Sequence, residues 1–323
     1  MTNKKLINYN KYASYPVSIM FCGDIIPPYL QLKNDPFEYL DEYFNQADIV
    51  VANLEAPLGG KHSGFPKFSF ADDFVHSLKR FDLLFTSNNH AADAGAEGVK
   101  RTINVLSDAK IKYIGTVASN DDKRSVTVTK DDLKIEFFSY VTSLGKPLGK
   151  DEWMVNIYDA DKVKSALDAS AADIKVLYVH TREEDPNQRD NEYSREPKQV
   201  WKLTQFVGKA DIIVNAHPHR FQGAVKNMKH VYTFSLGNLL SDQNKLHDKD
   251  SGCLMRVSLD GTENRATFLP VCSVLSEEKY FILPLKNVQI GKYDFIDSVQ
   301  RETLNKAYAE IKKVLAERGL SEM

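Results

Sequence analysis

From residue 17 onward, short apolar runs alternate with amphipathic stretches. The runs VSIMFCG (17–23), ADIVVANLE (47–55), FDLLFTS (81–87), IKYIG (111–115), LKIEFFSYV (133–141), DIKVLYVH (173–180) and ADIIVNA (210–216) read as strands. Most are apolar at consecutive positions, as in sheets covered on both faces. Residues 36–46, 72–80, 94–109, 159–170 and 194–208 place their apolar side chains at helical spacing. This alternation predicts an α/β fold. After residue 220 the pattern changes. HVYTFSLGNLL, GCLMRVSLD, ENRATFLPVCSV and KYFILPLK read as hairpin-connected strands, followed by an amphipathic helix near 297–317. No repeat, low-complexity tract or long linker divides the chain. One domain over 1–323 is expected, with a motif-bearing core at 17–241 and C-terminal strands and helix at 242–323.

The 323 residues, 42% hydrophobic and 27% charged, suit a soluble globular protein with a large core. With 42 basic and 44 acidic side chains the net charge is -2, so no global field draws nucleic acid or an anionic membrane. Any anionic ligand must be attracted locally. Cys22, Cys253 and Cys272 cannot all pair and match neither a zinc knuckle nor a redox motif, so they read as buried thiols in a reducing compartment. No apolar leader and no run of membrane-spanning length is visible, which predicts a cytoplasmic protein without a membrane span.

Polar residues with chemical potential collect where the strands end. Asp24 follows the first, Asn53 and Glu55 close the second, and Asn88, Asn89, His90 and Asp93 follow the third. His180 ends KVLYVH, and His217 and His219 end DIIVNAHPH. The carboxyl ends of strands form the ligand crevice of an open α/β sheet. In HPH, an extended backbone held by Pro218 is expected to aim both imidazoles the same way. Carboxylate, amide oxygen and imidazole together suit divalent first-row ions, and about six such donors could hold two. Singly, each element has a plainer reading: Asp24 as a helix cap, NNH as a turn, HPH as a surface loop. Their joint occurrence after successive strands favours a metal centre.

The order GD, NLEAP, NNHAADAGAEG, a strand-ending His with a following Glu, HPHRFQGAV and SLGN resembles the CapA/PgsA capsule-synthesis family, related to calcineurin-like metallophosphatases. The likeness covers roughly residues 17 to 241. It implies a four-layer α/β/β/α sandwich of metallophosphatase type. It also implies metal ligation by Asp24, Glu55, Asn89, His180, His217 and His219, with His90 acting at the scissile phosphate or leaving group. Asn53, Asn88, Asp93, Arg182, Glu184 and Asn238 are then expected behind the ligands or against substrate. The implied cofactor is a divalent metal, two ions of manganese, iron or zinc. Family members act in poly-γ-glutamate or polysaccharide capsule production, and many are anchored outside the cell. Capsule-synthesis proteins and an anionic small-molecule or polymer substrate are the implied partners.

Two departures from the pattern stand out. The superfamily's Asp-x-His after the first strand is Asp24-Ile25-Ile26 here, so one imidazole is missing and one metal site is expected to be weaker. Where the family tends to read His-Trp-Gly-x-Glu, this chain has His180-Thr181-Arg182-Glu183-Glu184, which alters the pocket rim. The following TREEDPNQRDNEYSREPK is dense in charge, and Arg182, Arg189 and Arg195 could meet an anion. Lys61, His62 and Lys67 form a second candidate rim. Three functions compete: a metal-dependent phosphoesterase, a metal-dependent γ-glutamyl or amide hydrolase or transferase, and a non-catalytic subunit binding an anionic capsule polymer or synthase.

Overall fold

In the first strand, β1 (Val17–Ile25), Ile19 and Phe21 enter one apolar cluster while Met20 and Cys22 enter another. In β7 (Ile174–His180), Val176 and Tyr178 face the first of these clusters and Leu177 and Val179 a third. Side chains on a strand alternate between faces, so each strand lies between two apolar layers. The computed structural model describes residues 17–181, 203–227, 229–242, 251–259 and 263–323.

Two sheets result. The first follows the order β14 (Lys279–Pro284), β13 (Asn264–Ser276), β12 (Ser251–Leu259), β1, β2 (Ile49–Leu54), β3 (Leu83–Phe85), β4 (Lys112–Ile114). β11 (Asn238–Leu240) pairs beside β1, and β15 (Ser321–Glu322) beside β13. The second follows β5 (Ser125–Lys130), β6 (Leu133–Val141), β7, β8 (Ile212–Ala216), β10 (His230–Leu236), β9 (Phe221–Asn227). β1 to β4 run parallel, as do β6, β7, β8 and β10.

The cluster that holds Ile19, Val51 and Phe85 from the first sheet also holds Phe137, Val176 and Val214 from the second, so it fills the space between them. The outer face of the first sheet packs under Phe37, Leu40, Phe74, Leu78 and Leu106. That of the second packs under Val163 and Leu167. This is the four-layer α/β/β/α arrangement. Helix Gly95–Asp108 buries Val99, Thr102, Ile103 and Leu106 along one stripe. Helix Ala160–Ala169 is started by the Asp159 side chain, which accepts from the amides of Asp161 and Lys162. Helix Ser298–Glu317 begins with a capping box between Asp297 and Gln300, and its Leu304, Tyr308, Ile311 and Leu315 join the inter-sheet core.

Several expected elements differ. Residues 36–46 form a 3-10 turn (Glu38–Leu40) and one α-turn (Asp41–Phe44), and 72–80 likewise splits into Asp72–Phe74 and Val75–Leu78. None of these turns has a side-chain cap, and burial of Phe37, Leu40, Phe44 and Phe74 replaces helix length as their support. Most of the helix expected at 194–208 lies outside the described residues. None of the described helices is long and apolar enough to cross a membrane. All three cysteines are buried thiols.

Candidate metal centre

The two sheets contribute different donors. Asp24, Asn53, Glu55, Asn88 and Asn89 come from the carboxyl ends of β1, β2 and β3, and His180, His217 and His219 from β7 and β8. The crevice is therefore shared by two facing sheets and is not the edge of one. Asp24, Asn53, Glu55, Asn88 and His180 are at most 2% exposed, whereas the His219 side chain is 21% exposed and marks the open side.

A chain of amides orients the carboxylates. Asn88 Nδ2 donates to Asn53 Oδ1 (3.0 Å) and to the Leu54 carbonyl (2.8 Å), and Asn53 Nδ2 donates to Asp24 Oδ1 (2.8 Å) and Glu55 Oε2 (3.2 Å). Each carboxylate thus spends one oxygen on Asn53. The other oxygens, Asp24 Oδ2 and Glu55 Oε1, are buried without a hydrogen-bond partner, as is His217 Nδ1. Orphaned buried acceptors are costly unless something cationic meets them. The nearest groups are imidazoles: His219 Nδ1 lies 3.3 Å from Asp24 Oδ2, and His180 Nε2 and His219 Nε2 lie 3.4 and 3.7 Å from Glu55 Oε1.

Donors from Asp24, Glu55 and His180 lie within 4.8 Å of one another, and so do donors from Glu55, His217 and His219. Glu55 is common to both sets. Asn89 Oδ1 accepts from His180 Nε2 (2.7 Å), and the rings of His180 and His217 are 5.2 Å apart. The His217 and His219 rings are 5.4 Å apart, so His217 lies between the other two imidazoles. On the far side of His180, Nδ1 faces the Tyr178 hydroxyl at 3.3 Å, and Tyr178 stacks on Phe85 with ring centroids 4.2 Å apart. Asn238 Oδ1 lies 3.0 Å from His219 Nδ1. The donor set and its unsatisfied atoms fit a divalent cation. Ile26, where the superfamily has an imidazole, is fully buried in the outer apolar cluster with Leu239 and Leu240 and offers nothing to the site.

Electrostatics reflect this crowding of charge. Burial raises the Asp24 carboxyl and neighbouring Glu55 raises it further. Burial alone would raise Glu55 too, but His180 and His219 hold it well below the usual carboxylate range. Burial, then the charges of His180 and His219, keeps His217 neutral.

The backbone at HPH is not extended. His217 has φ 102° and His219 φ 51°, both in the left-handed region. For a residue with a Cβ such values cost of order 1–3 kcal/mol. The preference that Pro218 imposes on His217 concerns helix against extended backbone, and tertiary anchoring overrides it. Asn215 Nδ2 donates to the Phe234 carbonyl, Thr181 Oγ1 donates to Asn215 Oδ1, and the Thr181 amide donates to the Ala216 carbonyl. These bonds hold the end of β8 while the chain twists both rings into the cluster.

Glycines let the sheets meet here. A Cβ on Gly23 would lie 2.1 Å from the Gly237 carbonyl oxygen, and one on Gly237 (φ 73°) 2.8 Å from that of Ser251. The close approach lets the Asp24 amide donate to the Gly237 carbonyl at 3.0 Å and pairs Asp24 with Asn238.

His90 stands beside the cluster, close enough to interact electrostatically with Glu55 and His217. Its Nδ1 lies 2.8 Å from Asp93 Oδ2, which also accepts from the Phe68 amide, and its ring meets Phe68 edge-on at 4.5 Å. The GGKHSGFPKF segment reaches the site through Phe68, while His62 Nε2 lies 3.4 Å from the Tyr29 carbonyl. Arg182, Glu184, Arg189 and Arg195 lie outside the described residues. Sequence reasoning missed Tyr178, which reads as one more apolar strand position. It also missed the 142–148 loop, whose Gly145 amide donates to the Asn89 carbonyl at 2.7 Å.

Two relatives and one solved structure are similar to this chain. The chain is 26% identical over 267 residues to the PGA biosynthesis protein CapA of Bacillus subtilis (strain 168), covering 74% of this chain and 67% of that protein. It is 27% identical over 233 residues to the capsule biosynthesis protein CapA of Bacillus anthracis, covering 67% of this chain and spanning 56% of that protein's length. The crystal structure of a novel phosphatase from Mycoplasma pneumoniae superposes with a TM-score of 0.53 at 12% identity, over 80% of this chain and 94% of that one, so the fold is shared. Residues 18–243 match the family described as bacterial capsule synthesis protein PGA_cap, and the chain therefore belongs to that family.

Proposed function

We propose that this protein is a divalent-metal-dependent phosphoester hydrolase serving capsule-polymer synthesis. The observation that carries the reading is the division of labour at the carboxylates. Asn53 holds one oxygen of Asp24 and one of Glu55, leaving the partnerless Asp24 Oδ2 and Glu55 Oε1 among three imidazoles. Asn89, His180 and His217 would hold one cation, Asp24 and His219 a second, with Glu55 shared between them. A cation bound there supplies Lewis-acid charge and acidifies water.

The chain's own groups do the rest. Asp93 accepts from His90 Nδ1–H and fixes that tautomer, so Nε2 is the nitrogen that exchanges a proton with the leaving oxygen. Phe68 covers one side of the His90 ring and limits its motion. His180 would offer its Nε2, now 2.7 Å from Asn89 Oδ1, to a cation bound there, and its Nδ1 would be held by the Tyr178 oxygen.

The test measures metal content of gently purified protein and turnover of a generic phosphodiester and a γ-glutamyl peptide, with and without added Mn²⁺. Metal with phosphodiester turnover is expected. Metal with turnover of the γ-glutamyl peptide alone would move the chemistry to amide bonds, and a metal-free, inert protein would overturn the reading.

A further inference from the structure

We infer that a cleft at the opposite end of the first sheet is a second ligand site, one that takes a small multivalent anion bearing clustered phosphates or carboxylates. The cleft, about 550 Å³, opens where β2, β3 and β4 begin, and the end of β5 forms its other wall. The metal-site residues follow the far ends of β2 and β3, and the six residues of β2 put roughly 20 Å between the two sites. The volume falls within the range of small-molecule sites, about 300–1,000 Å³.

Its lining is charged against the trend of the whole molecule. The chain carries a net charge of -2, yet Lys79, Lys110, Lys112 and Lys130 line this cleft against only Asp48 and Asp82. Both carboxylates are already engaged. Asp82 accepts from the Val50 amide at 2.8 Å, and Asp48 accepts from the Ser18 amide and hydroxyl at 2.9 Å. Lys130 lies 3.5 Å from Asp48, while the ammonium groups of Lys79, Lys110 and Lys112 have no ion-pair or hydrogen-bond partner among the described residues. Buried Phe81 and Ile111 contribute to the lining, an apolar surface that leaves the ammonium groups as its polar anchors.

Backbone geometry supplies an independent observation. Helix Gly95–Asp108 ends with the Lys110 amide on the Ser107 carbonyl and the Ile111 amide on the Leu106 carbonyl, and Lys110 takes φ 60°. Glycine is the residue this helix-ending position favours, because a side chain there is strained. The attraction of the helix C-terminus for a cation explains part of the choice at Lys110. It explains neither Lys112 nor Lys79, which enter the same cleft from other segments. Lysine is a point charge that accepts phosphate or carboxylate without demanding one geometry.

Calorimetric titration with tripolyphosphate and with citrate distinguishes the two anion chemistries. Each is titrated into wild type, K79E/K112E, K110G and, as a control for binding at the metal centre, H217A. Wild type and H217A should bind at least one probe alike, more weakly as salt rises. K79E/K112E should lose at least about tenfold in affinity, since two attractive charges become repulsive. K110G should bind less tightly while melting at a higher temperature, which separates recognition from folding. If K79E/K112E does not fold, K79A and K112A replace it, each side chain being exposed. Equal binding by wild type and the charge-reversed protein, loss of binding only in H217A, or no binding of either probe would each overturn the inference.

Discussion

In the metal-free protein His219 shares a proton with the carboxylates it touches. Burial disfavours its imidazolium, but the charge of Glu55, then the Asp24 carboxylate 3.3 Å away, outweighs burial and pushes His219 up to about 9. A cation binds neutral imidazole, so metal binding must expel that proton. Below the raised pKa, each pH unit changes the apparent association constant tenfold, so from about pH 7 to about pH 8.5 affinity at the Asp24–His219 half should rise about 30-fold. His217 adds no such slope, because burial keeps it neutral. Competition between the protein and a fluorescent chelator for Mn²⁺ measures the effect, and His219→Gln should bind more weakly with a flat profile. Wild-type affinity independent of pH over this range would refute the shared proton, and an undiminished slope in the variant would assign it to another group. Stability carries the same signature. A histidine raised above its unfolded value stabilises the fold fully below about pH 6.5, and loses that contribution as pH rises through about 9. The ceiling is about 3 kcal/mol, so metal-free protein should melt progressively lower across that window.

His90→Asn should leave metal content unchanged while turnover falls by about 10²- to 10⁴-fold, the usual contribution of a positioned acid or base. Loss of metal in that variant would make His90 a ligand instead. Asn89→Ala and His217→Ala should lose metal and activity together, read by elemental analysis and turnover. Tyr178→Phe keeps the stack on Phe85 but removes the partner of His180 Nδ1, so Mn²⁺ affinity should drop by about 10- to 100-fold with the melting temperature nearly unchanged. Gly237→Ala forces a side chain into a φ of 73° within 2.8 Å of the Ser251 carbonyl oxygen. It should cost about 3 kcal/mol or more, visible as a lowered denaturation midpoint, and a wild-type midpoint would contradict the close approach.

The central strands were legible because burial on both faces leaves an unbroken apolar run, as in LLF (83–85) and VLYV (176–179). Strands β5 and β9 were not, since four of the six residues of SVTVTK are polar and FQGAVKN follows the histidine motif without a break. In 36–46 the pattern located the buried face correctly, with Phe37, Leu40 and Phe44 packed together, but periodicity cannot tell a continuous helix from two short turns. At the site, residue types and their placement after strands could be read directly. Which atom of each carboxylate remains available could not, because Asn53 and Asn88 decide it through contacts 29 and 34 or 35 residues apart in sequence.

The HPH turn shows how such contacts override local rules. Taken alone, His-Pro-His favours an extended backbone that would send both imidazoles to one face of the strand. The cluster needs both rings near Glu55, and bonds from Asn215 and Thr181 hold the end of β8 so that the chain twists into the left-handed region at His217 and again at His219. On the facing sheet, the Gly23–Gly237 approach brings Asp24 level with Asn238, whose side-chain oxygen lies 3.0 Å from His219 Nδ1. The strained histidines and the crowded glycines are two halves of one adjustment, each stabilised by structure beyond its own segment. Relaxing either alone should disperse the donors: a Cβ at Gly237 would move Asn238 and Asp24 away from His219, and the centre should lose affinity for Mn²⁺ even where the rest of the fold survives.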